Sequence, residues 1–227
     1  MSDLEVLIPS RGRPESVERV VRSYALTCRA DTKIRFAFDE DDPKLDANVA
    51  AAQGHSFMCG PRRTLTGWTN ALAGRHARHA PALASFGDDH LPVTDGWDEM
   101  LLAALPAGGG YAYPEDQRRN DIPEACVIST VIVKALGWMS PPFVTHWYQD
   151  NVWADLGRGA GCLVYCPDVI VRHLHPNVLG TPGDATNHDA AQRYDADLAA
   201  YQRWRLRAMP QDIQTVRGVR ETALGHV

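Results

Sequence analysis

Asp88-Asp89-His90 brings two carboxylates and an imidazole together directly after a short apolar run, Ala82 to Phe86. Hard oxygen donors with one nitrogen donor suit a divalent ion such as Mn²⁺ or Mg²⁺. The same three residues equally make a polar turn whose acids cap a following helix. Further along, His173 and His175 sit two apart, so an extended chain points both imidazoles the same way. They offer further metal ligands, or a plain surface alternation. Asp150 and Asn151 open an apolar-periodic stretch. A carboxylate there serves as a positioned base or as a helix cap, for which Asn151 is an equal candidate. Arginines pair at 11 and 13, 62 and 63, and 118 and 119. Their forks suit phosphate, but such pairs are most often solvated charge.

These residues need a scaffold. At 227 residues the chain reads as one compact domain, long enough to bury a full core. Net charge is −5, so no global basic field points to nucleic acid or a membrane surface. Only three of the 23 basic residues are lysines (Lys33, Lys44 and Lys134). The five cysteines, an odd number without a Cys-x-x-Cys pair, argue for reduced thiols and a cytoplasmic setting. No signal peptide or transmembrane run is read at the N-terminus.

Leu4 to Pro9 reads as a strand, followed by the loop Ser10-Arg11-Gly12-Arg13. Pro14 and Glu15 then open a helix with Val17, Val20, Val21 and Tyr24 on one face. Ile34 to Phe38 is the next strand, ending in Asp39. This β-α-β start, with polar residues after each strand, predicts an α/β fold: a mostly parallel central sheet flanked by helices. Ligands bind at the carboxyl edge of such sheets. Residues 44–60 are ambiguous, with a short strand at His55 to Cys59. Helices are predicted over Thr66 to His79, Trp97 to Leu105, and Tyr148 to Leu156, the last ended by Gly157. Ala125 to Val133 reads as a strand, or a strand turning into a helix. Leu163 to Cys166 and Val169 to Val171 read as two strands. Residues 177–190 read as a mobile loop, Ala190 to Met209 as a helix, and the last dozen residues as fraying.

The ordered set resembles the GT-A class of nucleotide-sugar-dependent glycosyltransferases, especially the large "family two" type, over roughly residues 4–176. Val6-Leu7-Ile8-Pro9-Ser10-Arg11-Gly12-Arg13-Pro14 looks like their first-strand signature, and Trp138 to Gly161 like the segment that carries the acceptor-site acid. The resemblance implies a Rossmann-like GT-A domain over residues 1–176, with 177–227 as a loop and helix closing over the acceptor. It implies that Asp39 accepts a hydrogen bond from the base, most often uracil, and that Pro9, Ser10 and Arg11 line the base and ribose pocket, with Arg13 beside them. Asp88-Asp89-His90 would be the Asp-x-Asp metal motif in an Asp-x-His form, with Asp88 touching ribose or metal and His90 ligating. Asp89 is the alternative ligand, and His173 or His175 the third one. Arg63 and Asn70 sit where the family contacts sugar or phosphate. Asp150 would be the base that activates an acceptor hydroxyl.

The implied activity is metal-assisted transfer of a sugar from a nucleotide diphosphate sugar, a UDP-sugar first. The acceptor is open: a small molecule, a glycan, a protein, or a hydroxylated DNA base as for some small phage-encoded glycosyltransferases, which act in the host cytoplasm. Two rival readings remain. A sugar-nucleotide nucleotidyltransferase would share the sheet and the acids, but its first loop should be richer in glycine and carry a lysine. A non-catalytic nucleotide-sugar-binding domain would bind without turnover.

Overall fold

The computed structural model describes residues 1–175 and 183–225. Its strands are β1 (Leu4–Pro9), β2 (Thr32–Asp39), β3 (Ser56–Gly60), β4 (Ala82–Ser85), β5 (His90–Pro92), β6 (Tyr111–Glu115), β7 (Cys126–Ser129) and β8 (Leu163–His173). Its helices are α1 (Pro14–Thr27), α2 (Leu45–Ala51), α3 (Leu65–His76), α4 (Trp97–Ala104), α5 (Thr130–Leu136), α6 (Gln149–Gly159), α7 (Ala185–Ala191), α8 (Tyr194–Arg207) and α9 (Met209–Leu224). The strands lie in the order β3-β2-β1-β4-β7-β6-β8-β5. Pairing is parallel from β3 to β4 and between β6 and β8; β7 and β5 run against their neighbours.

β1 sits between β2 and β4 and is buried on both faces, with Glu5 as its one charged residue, paired to Arg35. Val6 and Ile8 face one core with Val17, Val20 and Val21 of α1 and Trp97 of α4. Leu7 faces the other, with Trp68 of α3, Trp153 of α6, Trp204 of α8 and Val216 of α9. β1 then stops at Pro9, and Gly12 turns the chain at φ +71°, a left-handed conformation that favours glycine. Its N–H donates to Asp42 Oδ2 at 2.7 Å, which ties this turn to the one after β2.

Several sequence expectations change in detail. The ambiguous stretch 44–60 resolves into α2 and β3. The stretch from Ala125 is a strand turning into a helix, β7 into α5. The two strands expected near the end are one, β8, whose register against β6 shifts between Pro114 and Glu115. That irregularity absorbs Pro167, which has no N–H for a ladder. Gly157 does not end α6. The helix runs on to Gly159, and a Cβ at Gly157 would meet the Leu163 Cβ at 2.8 Å, so this glycine allows close packing against β8. The expected loop 177–190 lies partly outside the described residues. Its later part is α7, opened by a capping box between Asp184 and Asn187.

The C-terminal region departs most. The helix expected over Ala190 to Met209 is α8, preceded by the end of α7, and a further helix, α9, follows after Ala208 with Pro210 in its first turn. Where fraying was expected, the chain is helical to Leu224, and Ile213, Val216 and Val219 pack with α5 and α6 in the second core. Trp204 is 5% exposed, stacks on Phe143 at 5.6 Å and donates from Nε1 to Asp212 at 2.7 Å. Trp204→Ala therefore removes a core aromatic, at a cost of about 3–5 kcal/mol. In a domain of this size thermal melting should fall by about 10 °C; an unchanged melt would show that α8 and α9 are an independent appendage.

Candidate functional site

The carboxyl ends of β1, β2 and β4 deliver Ser10, Arg11 and Arg13, then Asp39, then Asp88 and Asp89, to one cleft. Asp150 at the start of α6, and His173 and His175 at the end of β8, line the same cleft. Of the donor, metal and base residues that the resemblance implies, Asn70 does not line this cleft. Its carboxamide accepts from the N–H groups of Met139 and Ser140 and donates to the Ser140 carbonyl at 2.7 Å. It staples α3 to the loop after α5.

β5 was not foreseen in the sequence, and it organises the metal-like cluster. His90 lies opposite His173 in the antiparallel β5–β8 pair, with ring centroids 4.1 Å apart. Asp89 Oδ1 is 3.3 Å from His90 Nδ1, and Asp89 Oδ2 is 3.4 Å from His173 Nε2. Among the described residues, Asp89, His90 and His173 can converge on one ion, and Asp116, Glu124 and His173 form a second such group. Asp88 and His175 belong to neither. His175 lies beside the cluster, its ring 5.4 Å from that of His173.

The first set fits a divalent cation. His90 Nε2 is buried without a hydrogen-bond partner, an uncomfortable state for a polar atom unless a ligand takes it. His90 Nδ1 lies 2.9 Å from the Gly87 N–H as well as near Asp89. The Gly87 N–H donates to Nδ1, so a neutral His90 carries its proton on Nε2, and ligation through Nε2 requires that proton to leave or to move to Nδ1. Burial opposes ionisation of Asp89, but hydrogen bonds from His173 and His90 hold its carboxyl well below the usual range. Burial and the neighbouring His173 charge lower the His90 pKa. Burial also works against charge on His173, yet Asp89 and Glu124 bring its pKa up to about 9. The pocket between the acids thus already attracts a cation.

Asp88 is spent on protein partners. It accepts from Ser10 Oγ at 2.6 Å and Arg13 Nη1 at 2.9 Å, and burial raises its pKa despite Arg13. Arg13 also holds Asp184 at the start of α7, at 2.6 and 2.9 Å. Asp39 is similarly engaged: Trp68 Nε1 at 2.6 Å, the Arg63 N–H at 3.0 Å and Arg11 at 3.0 Å all donate to it. The Arg63 guanidinium lies 5.1 Å from the centroid of the Trp68 ring, a cation–π contact.

Asp150 is not a cap in the expected sense, because Tyr148 occupies the N-cap position of α6. One Asp150 oxygen accepts the Asn151 N–H at 2.8 Å. Burial pushes its carboxyl up to about 6, the range of a base working near neutrality. Tyr148 itself has φ +69°, a left-handed conformation that is unusual for an aromatic residue. The loop before it is held by Asp197 of α8, a buried carboxylate that accepts the N–H groups of Thr145, His146 and Trp147 at 2.9 to 3.0 Å. Sequence reading missed Asp197, Glu124 and Asp184. Each lies on a polar face or in a loop with no spacing to mark it.

No protein-family model and no curated protein matches the sequence. Among solved structures the chain is similar to the mannosyltransferase PcManGT from Pyrobaculum calidifontis in complex with GDP-Man and Mn²⁺. There the TM-score is 0.62 at 13% identity, over 99% of this chain and 77% of that one. It is also similar to S. aureus TarS 1-349 in complex with UDP (TM-score 0.59, 7% identity, 74% of this chain and 59% of that one). For TarS 1-349 in complex with UDP-GlcNAc the values are 0.61, 8%, 82% and 60%. The chain spans about three fifths of these TarS structures. The fold is that of the GT-A glycosyltransferases.

The raised Asp150 pKa has a sign in stability. The protonated form is favoured by the fold, so that contribution is full below the ordinary aspartate pKa and is lost as pH rises through about 6. Asp150→Asn should therefore raise the thermal midpoint at pH 7–8 and leave it little changed at pH 4. Equal shifts at both pH values would mean that Asp150 is not destabilised by ionisation.

Proposed function

We propose that this chain is a glycosyltransferase that moves a sugar from a nucleotide diphosphate sugar to an acceptor hydroxyl, with a UDP-sugar as the first candidate donor. One observation carries the reading: a buried Asp89–His90–His173 cluster and a carboxylate of raised pKa, Asp150, share a single cleft at the carboxyl edge of a GT-A sheet. The GT-A neighbours in complex with UDP, UDP-GlcNAc and GDP-Man with Mn²⁺ support the donor class.

In this reading Pro9, Ser10, Arg11 and Asp39 form the nucleoside end of the cleft. Asp39 acts there mainly by fixing Arg11, Trp68 and the turn at Arg63, since three protein donors already occupy its oxygens. Arg13 and Arg63 supply cationic forks near the diphosphate. Asp89, His90 and His173 would hold Mn²⁺ or Mg²⁺, which when bound offsets the charge that grows on the departing diphosphate. Asp88 keeps Arg13 and Ser10 in place beside it. Asp150 takes the proton from the acceptor hydroxyl as its oxygen attacks the anomeric carbon, a direct displacement that inverts the configuration. α7, with Asn187 and Ala190 on the cleft, forms one wall over the acceptor side.

The test is calorimetric titration with UDP, GDP and their sugars, with Mn²⁺ and with chelator, alongside donor hydrolysis as the turnover readout. Binding of one donor should need the ion, and Asp89→Ala or His173→Ala should weaken it at least about tenfold. Donor binding that is indifferent to chelator and to both variants would remove the metal assignment; no binding at all would remove the reading.

Asp150→Asn should keep donor affinity and lose turnover by about 10²–10⁴-fold. In the wild type, turnover should rise with pH through about 6, as the base loses its proton. A flat pH profile, or an Asp150→Asn variant of undiminished turnover, would strip Asp150 of that role.

A further inference from the structure

Glu124 belongs to no motif in the sequence and lies between β6 and β7, outside any strand or helix. Its side chain is 8% exposed, and Oε2 is 2.7 Å from His173 Nδ1. That is a hydrogen-bond distance. Arg118 Nη1 holds both Glu124 oxygens, at 3.0 and 3.1 Å. The segment is anchored as well: Asp116 Oδ1 accepts the N–H groups of Arg118 and Arg119 at 2.7 and 2.8 Å, and the Asp116 carbonyl accepts the His173 N–H at 3.1 Å. Residues 116–124 thus grip both the backbone and the ring of His173.

A carboxylate against Nδ1 decides where the proton of a neutral imidazole sits. Both ring nitrogens face carboxylates; an ion on the Nε2 side, where Asp89 Oδ2 lies 3.4 Å away, displaces the proton there, so the remaining proton sits on Nδ1 against Glu124 and Nε2 keeps the lone pair. We propose that Glu124 is the positioning residue that selects this tautomer and holds His173 Nε2 toward the Asp89–His90 pocket, with Arg118 fixing Glu124 in turn. The inference rests on the metal reading of that pocket. It also separates the two possible ligand groups. The Asp89–His90–His173 side takes the ion, and the Asp116–Glu124 side orients the imidazole, as outer carboxylates do for metal-bound histidines.

The probe is Mn²⁺ alone, titrated against the full chain and followed by the EPR signal of the free ion. Glu124→Gln preserves size and removes the charge. It should weaken Mn²⁺ binding about 10–100-fold, with reduced ¹⁴N coupling to the bound ion in pulsed EPR although both histidines remain. A second measurement needs no variant. In wild-type protein saturated with Mg²⁺, long-range ¹H–¹⁵N NMR should find His173 protonated on Nδ1. Wild-type Mn²⁺ affinity and ¹⁴N coupling in a folded Glu124→Gln, or a proton on Nε2 of the Mg²⁺-loaded wild type, would overturn the role of Glu124 and leave the metal site standing. A wild type that binds neither ion would overturn the metal site and this inference together.

Discussion

Because β5 runs antiparallel to β8 with His90 opposite His173, two imidazoles from distant parts of the chain meet face to face, and everything proposed for the cleft follows from that register. A slip of one residue would turn one of the two rings to the other side of the ribbon and part the pair. A three-residue strand cannot hold register by its own ladder, so the flanks hold it. The Val93 N–H donates to the Ile170 carbonyl at 2.9 Å, and the Leu174 N–H to the Asp89 carbonyl at 2.8 Å. The Ile170 N–H donates to Thr94 Oγ1 at 2.8 Å, and Ser23 of α1 donates to the Pro92 carbonyl at 2.6 Å. Asp89 is therefore fixed by its backbone to the strand that carries its partner histidine.

Around that pair the cleft is a lattice of opposite charges in which the arginines are already engaged. Arg13 joins Asp88 of the β4 end to Asp184 of α7, and Arg62 pairs with Asp189 on the same helix. The two kinds of contact differ in worth. Asp88 is buried, so its pairing with Arg13 compensates a desolvated carboxylate. Asp184 and Asp189 are each 46% exposed, where an ion pair is worth about 0–1 kcal/mol. Under the proposed function, an anionic donor would compete with these exposed acids for Arg13 while Asp88 keeps its hold. The wall made by α7 is in this sense attached through bonds that an anionic ligand can exchange.

Much of this was legible in the sequence wherever one residue type had one job. The β-α-β start, the apolar face of α1 and the acids after β4 each follow from local pattern, and local pattern suffices there because strand ends on a parallel sheet must emerge at one edge. What stayed hidden came from pairing across the chain. Nothing near His90 announces a strand, since β5 exists only through β8. The choice between His173 and His175 was open by spacing, and the proposed ligand is His173 because its ring nitrogens lie 3.4 Å from Asp89 and 2.7 Å from Glu124. Asn70 bonds the backbone of Met139 and Ser140, a pairing that no local pattern announces. In α9, polar residues on the outer face masked Ile213, Val216 and Val219 on the inner one.

The stretch 144–150 breaks local rules most densely, and that density is itself informative. Tyr148 adopts a left-handed backbone where glycine or asparagine would be easier, no side chain caps α6, and a carboxylate is kept at a pKa near 6 by burial. A chain free to relax would remove each of these costs. It is prevented by rigid neighbours: Asp197 takes three successive N–H groups of the loop, Trp153 anchors α6 by its bond to the Met139 carbonyl at 2.7 Å, and Tyr148 stacks on Tyr201 at 5.1 Å. Of those supports Trp153 lies in α6, whereas Asp197 and Tyr201 come from α8. α8 therefore braces this loop from outside the cleft and supplies stability against which the unfavourably placed Asp150 carboxylate is held.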